Sequence, residues 1–369
     1  MSTQSFAELG VSEDVVRALR AGGVTKPFPV QAQVVPDVLD SRDVLVKSPT
    51  GSGKTLAFAV PLVELIEPAD PKAAALVLAP TRELALQIVE ETKPLARARG
   101  LNVAAVYGGT GFAAQVAAVR KAHIVVATPG RLEDLLARGD ISLKHVRVVI
   151  LDEADRMLDM GFRPPVDRIL GHTPRDRQTL FFSATLDGEV GRLATKYTDH
   201  AARHEHKPAA DRTGRTDHRF VEVLHEEKLD TLVEHLGDGE RGRTLVFVRT
   251  KRGADRLVKR LKARGVIAVA MHGNKTQNQR ERALKSFHTG EADTLVATDV
   301  AARGIDVDDI THVINFDAPA DQDAYVHRIG RTARAGRDGV GITYVVGDQV
   351  RDVREIAHGL RLHREFDGR

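Results

Sequence analysis

The chain has 369 residues, of which 42% are apolar, with 31 glycines, 15 prolines and no cysteine. This length exceeds one ordinary domain and suits two of similar size. The lack of cysteine excludes disulfides and thiolate metal sites. Because 54 basic residues face 51 acidic ones, the net charge of +3 does not by itself indicate nucleic-acid binding.

The N-terminal residues, MSTQSFAELG, lack the basic lead and apolar stretch of a secretory signal. Nowhere does the sequence run through enough apolar residues for a membrane span. We therefore expect a soluble, cytoplasmic protein.

Short apolar segments alternate with helical stretches along the whole chain, which predicts parallel α/β sheets. The predicted strands of the first half are 43–47, 75–79, 103–107, 124–127, 148–151 and 180–182. Those of the second half are 220–224, 244–248, 268–271, 294–297, 312–315 and 341–346.

Residues 200–217 are polar, have no apolar period and contain Pro208 and Gly214, as is typical of a linker. We predict an N-terminal domain over residues 1–199, this linker, a C-terminal domain over residues 218–350 and a short tail over residues 351–369.

A glycine-rich segment, SPTGSGKT at residues 48–55, lies between a predicted strand and a predicted helix. Gly51 and Gly53 let backbone N–H groups turn towards phosphates. Lys54 would neutralise the β- and γ-phosphates, and Thr55 would ligate Mg²⁺. A glycine-rich turn before a helix also arises by chance, but the strand and the helix on either side favour a phosphate-binding loop.

Two carboxylates end a second apolar strand, within VVILDEADRMLD at residues 148–159. Asp152 is predicted to hold the metal through water, and Glu153 to act as the base that orients the attacking water. Alternatively, both are acidic residues that cap a helix. Their occurrence after a phosphate-binding loop favours catalysis.

Two basic segments stand out in the second half. Residues 249–264 carry eight basic residues and one acid, and residues 328–337 carry four arginines. Taken alone, such runs are solvated helix faces. In HRIGRTARAG, at residues 327–336, Arg331 and Arg334 are predicted to stabilise charge on the γ-phosphoryl oxygens. If another lobe supplies them, hydrolysis requires closure of the two lobes.

Taken together, the motifs resemble those of the DEAD-box ATP-dependent RNA helicases of superfamily 2. The matching segments are Phe6, Gln31, 48–55, 80–84, 108–109, 128–131, 152–155, 160–162, 183–185, 246–248, 277–280, 298–299, 303–306 and 327–336. Each motif is common alone, whereas their order and spacing are specific. The resemblance implies two tandem RecA-like α/β domains, each a mostly parallel sheet flanked by helices, with the ATP site in the cleft between them.

The resemblance implies a nucleotide site in which Gln31 reads the adenine edge. Phe6 would pack near the base, and Asp306 would contact the ribose. The implied nucleotide-binding set is Phe6, Gln31, Ser48, Pro49, Thr50, Gly51, Ser52, Gly53, Lys54, Thr55 and Asp306. ATP and Mg²⁺ are the expected cofactors.

The resemblance also implies residues that couple this site to RNA, namely Ser183, Thr185 and His327. The implied RNA-binding residues are Thr81, Arg82, Gly109, Thr128, Arg131, Arg280 and Thr298. Hydroxyl, amide and guanidinium groups of this kind bind the backbone of a nucleic acid, so we expect binding without base specificity.

The adenine motif at residues 23–31, GVTKPFPVQ, departs from the family at two positions. Val24 stands where the family usually has an aromatic residue, and Phe28 where it has threonine. These changes remove a stacking face and a hydroxyl.

We expect an ATPase that opens short RNA duplexes or remodels RNA–protein complexes. A DNA-directed translocase of the same superfamily and an ATP-gated RNA clamp are the alternatives. Ribosome-assembly or RNA-decay proteins are the expected partners of a monomer, and the composition favours a bacterial source.

Overall fold

The structure, a computed structural model, describes residues 4–48, 52–206, 214–239, 241–302, 310–333 and 337–368. The chain divides into two compact units, Met1–Pro208 and Ala209–Arg369. Within the described residues, every helix is too short or too polar to cross a membrane.

The first unit alternates strands and helices as predicted. Its strands are β1 (Val44–Lys47), β2 (Ala75–Leu78), β3 (Val103–Val106), β4 (Ile124–Ala127), β5 (Val148–Leu151), β6 (Gln178–Ser183) and β7 (Ala202–Glu205). Its helices are α1 (Glu13–Ala21), α2 (Pro29–Leu39), α3 (Lys54–Leu65), α4 (Arg82–Ala98), α5 (Phe112–Val119), α6 (Pro129–Ala137), α7 (Ala154–Asp159), α8 (Arg163–Gly171) and α9 (Gly188–Tyr197).

The seven strands form one sheet in the order β3-β4-β2-β5-β6-β1-β7, with parallel pairings. Alternate residues of each central strand enter different hydrophobic clusters, because side chains of a strand point to opposite faces. In β5, Val148 and Ile150 pack with α1–α4, whereas Val149 and Leu151 pack with α6–α9. Helices therefore cover both faces of the sheet.

The second unit repeats this plan. Its strands are β8 (Thr216–Glu222), β9 (Arg243–Phe247), β10 (Ala268–Met271), β11 (Thr294–Ala297), β12 (Ile310–Asn315) and β13 (Gly339–Val345). Its helices are α10 (Lys228–Leu236), α11 (Lys251–Ala263), α12 (Gln277–Thr289), α13 (Asp299–Ala302), α14 (Gln322–Ile329), α15 (Val350–Gly359) and α16 (His363–Asp367). The sheet order is β10-β11-β9-β12-β13-β8, also with parallel pairings.

All the strands predicted from the sequence are present, with ends displaced by up to four residues. Residues 200–217 differ from the predicted linker, because Ala202–Glu205 forms β7, which pairs with β1 at one edge of the first sheet. Within β7 only Ala202 is buried, so the segment carries little apolar signal.

The predicted tail over residues 351–369 also differs from the structure. Most of α15 and all of α16 fall in it, and Val353, Ile356 and Phe366 are buried in the core of the second unit. The mixed charges that suggested a tail lie on the outer faces of these helices.

Candidate nucleotide and RNA site

The phosphate-binding loop follows β1, and its last glycine starts α3. Gly53 has a φ of +86°, a left-handed conformation that glycine adopts without strain. The Lys54 ammonium donates to the carbonyl oxygen of Ser48 at 2.9 Å, and the hydroxyls of Ser48 and Ser52 lie 2.6 Å apart. Lys54 is buried and Thr55 half-buried in the first turn of α3, where N–H groups point towards anions.

Gln31 ties the start of α2 to this loop. Its side-chain oxygen accepts from the backbone N–H of Phe28 at 2.8 Å, and its side-chain nitrogen donates to the carbonyl oxygen of Gly53 at 3.0 Å. The side chain is 2% exposed. The predicted adenine-reading residue therefore lies directly beside the glycine that opens α3.

Asp152 and Glu153 follow β5 and are both buried. Burial raises the pKa of the Asp152 carboxyl to about 7, although the Lys54 ammonium lowers it. Glu153 has a φ of +51°, which costs a non-glycine residue about 1–2 kcal/mol. Its carboxylate pairs with the Arg156 guanidinium one turn further along α7.

Backbone and side-chain bonds join the phosphate loop, the end of β5 and the end of β6. The N–H of Ser48 donates to the carbonyl oxygen of Ser183 at 2.9 Å. The Ser183 hydroxyl accepts from the Asp155 N–H at 3.2 Å. The Asp155 carboxylate in turn accepts from the N–H groups of Ala184 at 3.0 Å and Thr185 at 3.3 Å.

The RNA-binding residues predicted for the first unit follow β2, β3 and β4, which are neighbours in the sheet. Thr81 caps α4, its hydroxyl accepting from the Leu84 N–H at 3.3 Å. The Arg82 guanidinium lies against Gly109, whose φ is +89°. Since carboxyl ends of parallel strands share one edge, these groups and the phosphate loop lie at the same edge of the sheet.

Thr128 and Arg131 complete this group at the start of α6, and both are buried. Arg131 donates to the carbonyl oxygen of Thr110 at 2.9 Å, and its guanidinium carbon lies 4.2 Å from the centroid of the Phe112 ring. The contact with Thr110 ties α6 to the segment after β3, where Gly109 lies.

In the second unit, the arginine motif begins in the last turn of α14, and Arg328 and Arg331 have different surroundings. Arg331 is 8% exposed, and its Nε donates to the carbonyl oxygen of His327, an exposed residue. Arg328 instead makes two bonds to the carboxylate of Asp299, at 2.6 and 2.8 Å, and donates to Asn315. Arg328 therefore stabilises the second unit.

The RNA-binding residues predicted for the second unit, Arg280 and Thr298, are both buried, and each is 8% exposed. Arg280 is in the first turn of α12, which opens with a capping box formed by Thr276 and Gln279. Thr298 follows β11, and its carbonyl oxygen accepts from Ala301 and Ala302.

Five of the predicted site residues lie outside the part of the chain that the structure describes. They are Pro49, Thr50, Gly51, Asp306 and Arg334. Phe6 is 2% exposed and packs in the core with α1 and α2, so its part in binding the base stays a prediction.

Comparison with known proteins decides the family. A DEAD/DEAH box helicase model matches residues 28–193, and a model of the helicase conserved C-terminal domain matches residues 227–336. The chain is 41% identical over 352 residues to the ATP-dependent RNA helicase CshA of Limosilactobacillus reuteri, covering 95% of this chain and 71% of the relative. The chain belongs to the DEAD-box helicase family.

Other relatives and solved structures agree. The DEAD-box ATP-dependent RNA helicase CshA of Geobacillus kaustophilus is 40% identical over 353 residues, or 95% of this chain and 76% of the relative. The structure of S. cerevisiae Dbp5 bound to RNA and ADP BeF3 is similar, with a TM-score of 0.86 and 30% identity, over 98% of this chain and 94% of that one. This similarity shows that the two units are RecA-like domains.

A second solved DEAD-box structure is also similar to this chain. It is that of Mss116p bound to ssRNA and AMP-PNP, with a TM-score of 0.84 and 29% identity. The match covers 97% of this chain and 78% of the Mss116p chain.

Within this DEAD-box chain, sequence reasoning gave no role to Asp155, Arg156 and Arg328. Asp155 and Arg328 lie inside the recognised motifs, and Arg156 directly follows one of them; each has at least one partner in another motif or in its own. Their charge could have identified them. Each has a carboxylate or a guanidinium within or beside a segment that the sequence predicts to be buried, and a charged group in such a place needs a partner.

Proposed function

We propose that the protein is an ATP-dependent RNA helicase that opens short RNA duplexes or remodels RNA–protein complexes. The arrangement of one sheet edge carries the proposal. Residues suited to phosphates follow β1 and β5, those suited to an RNA backbone follow β2, β3 and β4, and the Ser183–Asp155 link connects the loops after β6 and β5. A nucleotide and an RNA strand would then act on neighbouring loops.

The residues at the phosphate loop fit Mg²⁺. The Thr55 hydroxyl and the Asp152 carboxylate offer oxygen ligands of the kind that Mg²⁺ prefers. A carboxyl whose pKa is raised by burial is also one whose ionised form a cation would stabilise. When bound, Mg²⁺ would neutralise charge on the phosphate oxygens.

Glu153 would take a proton from the attacking water. Its pairing with Arg156 and its fixed left-handed backbone hold the carboxylate in one orientation, as a general base requires. Arg331 and Arg334 would stabilise the charge of the γ-phosphoryl group. Since these arginines belong to the other domain, hydrolysis would require both domains.

Strand separation would follow from gripping one strand by its phosphates in a bent form that a continuous duplex does not adopt. Because stacking contributes about 1–2 kcal/mol per base-pair step, one cycle would destabilise only a few base pairs. Contacts to 2′-hydroxyls would select RNA over DNA. We also propose a monomer in the cytoplasm, with ribosome-assembly or RNA-decay proteins as partners.

Separation of duplexes of different length tests this function. With ATP, a duplex of about 10 base pairs should separate readily and one of about 30 base pairs hardly at all, because the melting free energy adds with length. Glu153→Gln should stop turnover, whereas Glu189→Gln, a matched change at an exposed residue of α9, should not.

Two outcomes would contradict the proposal. Equal rates per base pair for both duplexes would indicate a processive translocase. A stable RNA complex with a non-hydrolysable nucleotide, together with no strand separation of either duplex, would indicate a clamp.

A further inference from the structure

A groove lies along the open edge of the second sheet. β10 is the first strand of the order β10-β11-β9-β12-β13-β8, and within the described residues it pairs with β11 alone. The helices α11 and α12 flank this edge, and between them lies a cavity of about 390 Å³. That volume falls within the range of about 300–1,000 Å³ that is typical of ligand pockets.

The floor of this groove is apolar. Val269 and Ala270 line it from β10, and both are half-buried although they are the central residues of the strand. Val258 of α11 and Ala283 of α12 line its two sides. Because neighbouring residues of a strand point to opposite faces, Ala270 packs on the side of α11 and Val269 on the side of α12. Apolar side chains of an occupant would therefore find contacts on both sides of the strand.

The outer edge of β10 has backbone groups to which a further strand can bind. A strand points its N–H and C=O groups to both of its edges, and β11 pairs with the groups of one edge. Since Val269 and Ala270 line the groove, the groups of the other edge face it. An extended segment of another chain can pair with such an edge through main-chain hydrogen bonds.

The rim of the groove is basic. Lys262 in the last turn of α11 and Arg282 in α12 are exposed, and within the part of the chain that the structure describes neither pairs with a carboxylate. The third cation of the lining, Lys275, lies 2.7 Å from the carboxylate of Asp255. The groove therefore has two cations without a counter-charge. Lys262 belongs to the basic run of residues 249–264, which has no role in the proposed activity.

The cations lie at different places along the strand. Because α11 connects two parallel strands, it runs antiparallel to β10. Lys262 therefore lies near the amino end of β10, and Lys275 follows its carboxyl end. A segment lying along β10 would place apolar side chains over the floor and acidic side chains at its ends, beside the cations.

We propose that this groove, the β10 groove, binds an extended segment of a partner protein that carries apolar residues between acidic ones, as an added strand beside β10. An RNA strand fits less well, because the floor is apolar and the Asp255 carboxylate would face its phosphates. None of the lining residues belongs to the predicted nucleotide- or RNA-binding sets, so the groove is a site beyond the proposed function. A partner bound here would hold the helicase through residues other than those assigned to ATP and RNA.

Fluorescence anisotropy with the full chain and a labelled peptide of about eight residues tests the proposal. The peptide Glu-Glu-Val-Ile-Val-Leu-Glu-Glu has an apolar centre and acidic ends. One control peptide has lysine in place of every glutamate, and a second has N-methyl groups on its central amides, which removes the donors to β10. We expect the acidic peptide to bind with a Kd of about 10–100 µM, and each control peptide to bind at least about tenfold more weakly.

Two further measurements locate the bound peptide. Lys262→Glu should weaken binding of the acidic peptide about fivefold or more, because it reverses a charge at the rim. Arg260→Glu makes the same change at an exposed residue of α11 outside the groove and should leave binding unchanged. Amide hydrogen exchange in residues 266–271 should slow when the peptide binds, because the outer N–H groups of β10 become paired.

Several results would overturn the proposal. No binding of the acidic peptide below about 1 mM, or equal binding of the lysine peptide, would exclude this occupant. Equal binding of the methylated peptide or unchanged exchange in residues 266–271 would exclude an added strand. Equal losses in Arg260→Glu and Lys262→Glu would exclude the groove as the site. If Lys262→Glu lowers the affinity for single-stranded RNA and not that for the peptide, the rim belongs to an RNA-binding surface.

Discussion

At the scale of single residues, Asp155 links the segment after β5, which carries Asp152 and Glu153, to the segment after β6. Its carboxylate accepts from two backbone N–H groups after β6, and its own N–H donates to Ser183. These partners lie 28 to 30 residues away in sequence. The motifs predicted that Asp152, Glu153 and Ser183 belong to one site. A sequence pattern does not show which residues of the site are hydrogen-bonded to each other.

Asp155→Asn should uncouple hydrolysis from RNA. The amide keeps the shape but loses charge-assisted bonds worth about 1.5–3 kcal/mol each. We expect RNA stimulation of ATP hydrolysis to fall about tenfold or more, with a smaller change in ATP affinity. Steady-state kinetics with and without RNA measure both quantities. Asp187→Asn, at an exposed residue before α9, is the control, and wild-type stimulation in Asp155→Asn would refute the coupling.

Gly109→Ala should weaken RNA binding without changing ATP binding. The new methyl group would overlap the Arg82 guanidinium, and a φ of +89° strains any residue other than glycine. If Arg82 contacts a phosphate, its displacement should lower the slope of log affinity against log salt by about one.

Fluorescence anisotropy with single-stranded RNA at several salt concentrations measures this change. Gly111→Ala is the matched control, because Gly111 has a negative φ and a Cβ atom added to it would enter open space. Identical salt slopes for Gly109→Ala and wild type would exclude Arg82 as a phosphate contact.

At the scale of helices and strands, the apolar pattern identified the central strands but missed an edge strand and the C-terminal helices. The central strands alternate between two clusters and were all predicted. The edge strand β7 buries one residue of four, so its sequence is that of a linker. For α15, the buried Val353, Ile356 and Ala357 have helical spacing, which charge along the segment obscured.

A carboxylate between α8 and α9 gives an acid-dependent contribution to stability. Although burial raises the pKa of Asp167, hydrogen bonds from Tyr197, Lys196 and Arg163 lower it to about 2. A carboxyl with a lowered pKa stabilises the fold above the pKa of its unfolded state, about 4, and this stabilisation disappears as pH falls towards 2.

Asp167→Asn should therefore reduce the free energy of unfolding at pH 5 and have a smaller effect at pH 3. Urea denaturation followed by circular dichroism at both pH values measures the difference. Asp176→Asn, at an exposed position between α8 and β6, should show no such change. A difference independent of pH would mean that the bonds to Asp167 do not depend on its charge.

At the scale of the whole molecule, each unit has its own sheet and its own hydrophobic clusters. Arg328 stabilises the second unit alone, since its partners Asp299, Asn315 and Asp317 all belong to it. Only Arg331 and Arg334 of the arginine motif were predicted to act on the nucleotide, and Arg328 was given no role. The sequence could not show that Arg328 pairs with a carboxylate, because Asp299 is 29 residues away.

Arg328→Met should destabilise only the second unit, by on the order of 2 kcal/mol, because it removes a buried guanidinium and leaves the half-buried Asp299 carboxylate without this partner. Hydrogen exchange followed by mass spectrometry should show faster exchange in peptides from residues 214–368 and unchanged exchange in residues 4–206. Arg351→Met, which removes an exposed pair with Glu355, is the control. Equal acceleration in both units would contradict independent stability.

Hydrolysis of ATP by the purified protein, with single-stranded RNA, with single-stranded DNA and with neither, tests the central claim most directly. An RNA helicase should show stimulation by RNA alone, and Glu153→Gln should abolish it because the general base is lost. Equal stimulation by DNA would indicate a DNA-directed translocase. No stimulation by either nucleic acid would contradict the coupling between the nucleotide-binding residues and the RNA-binding residues.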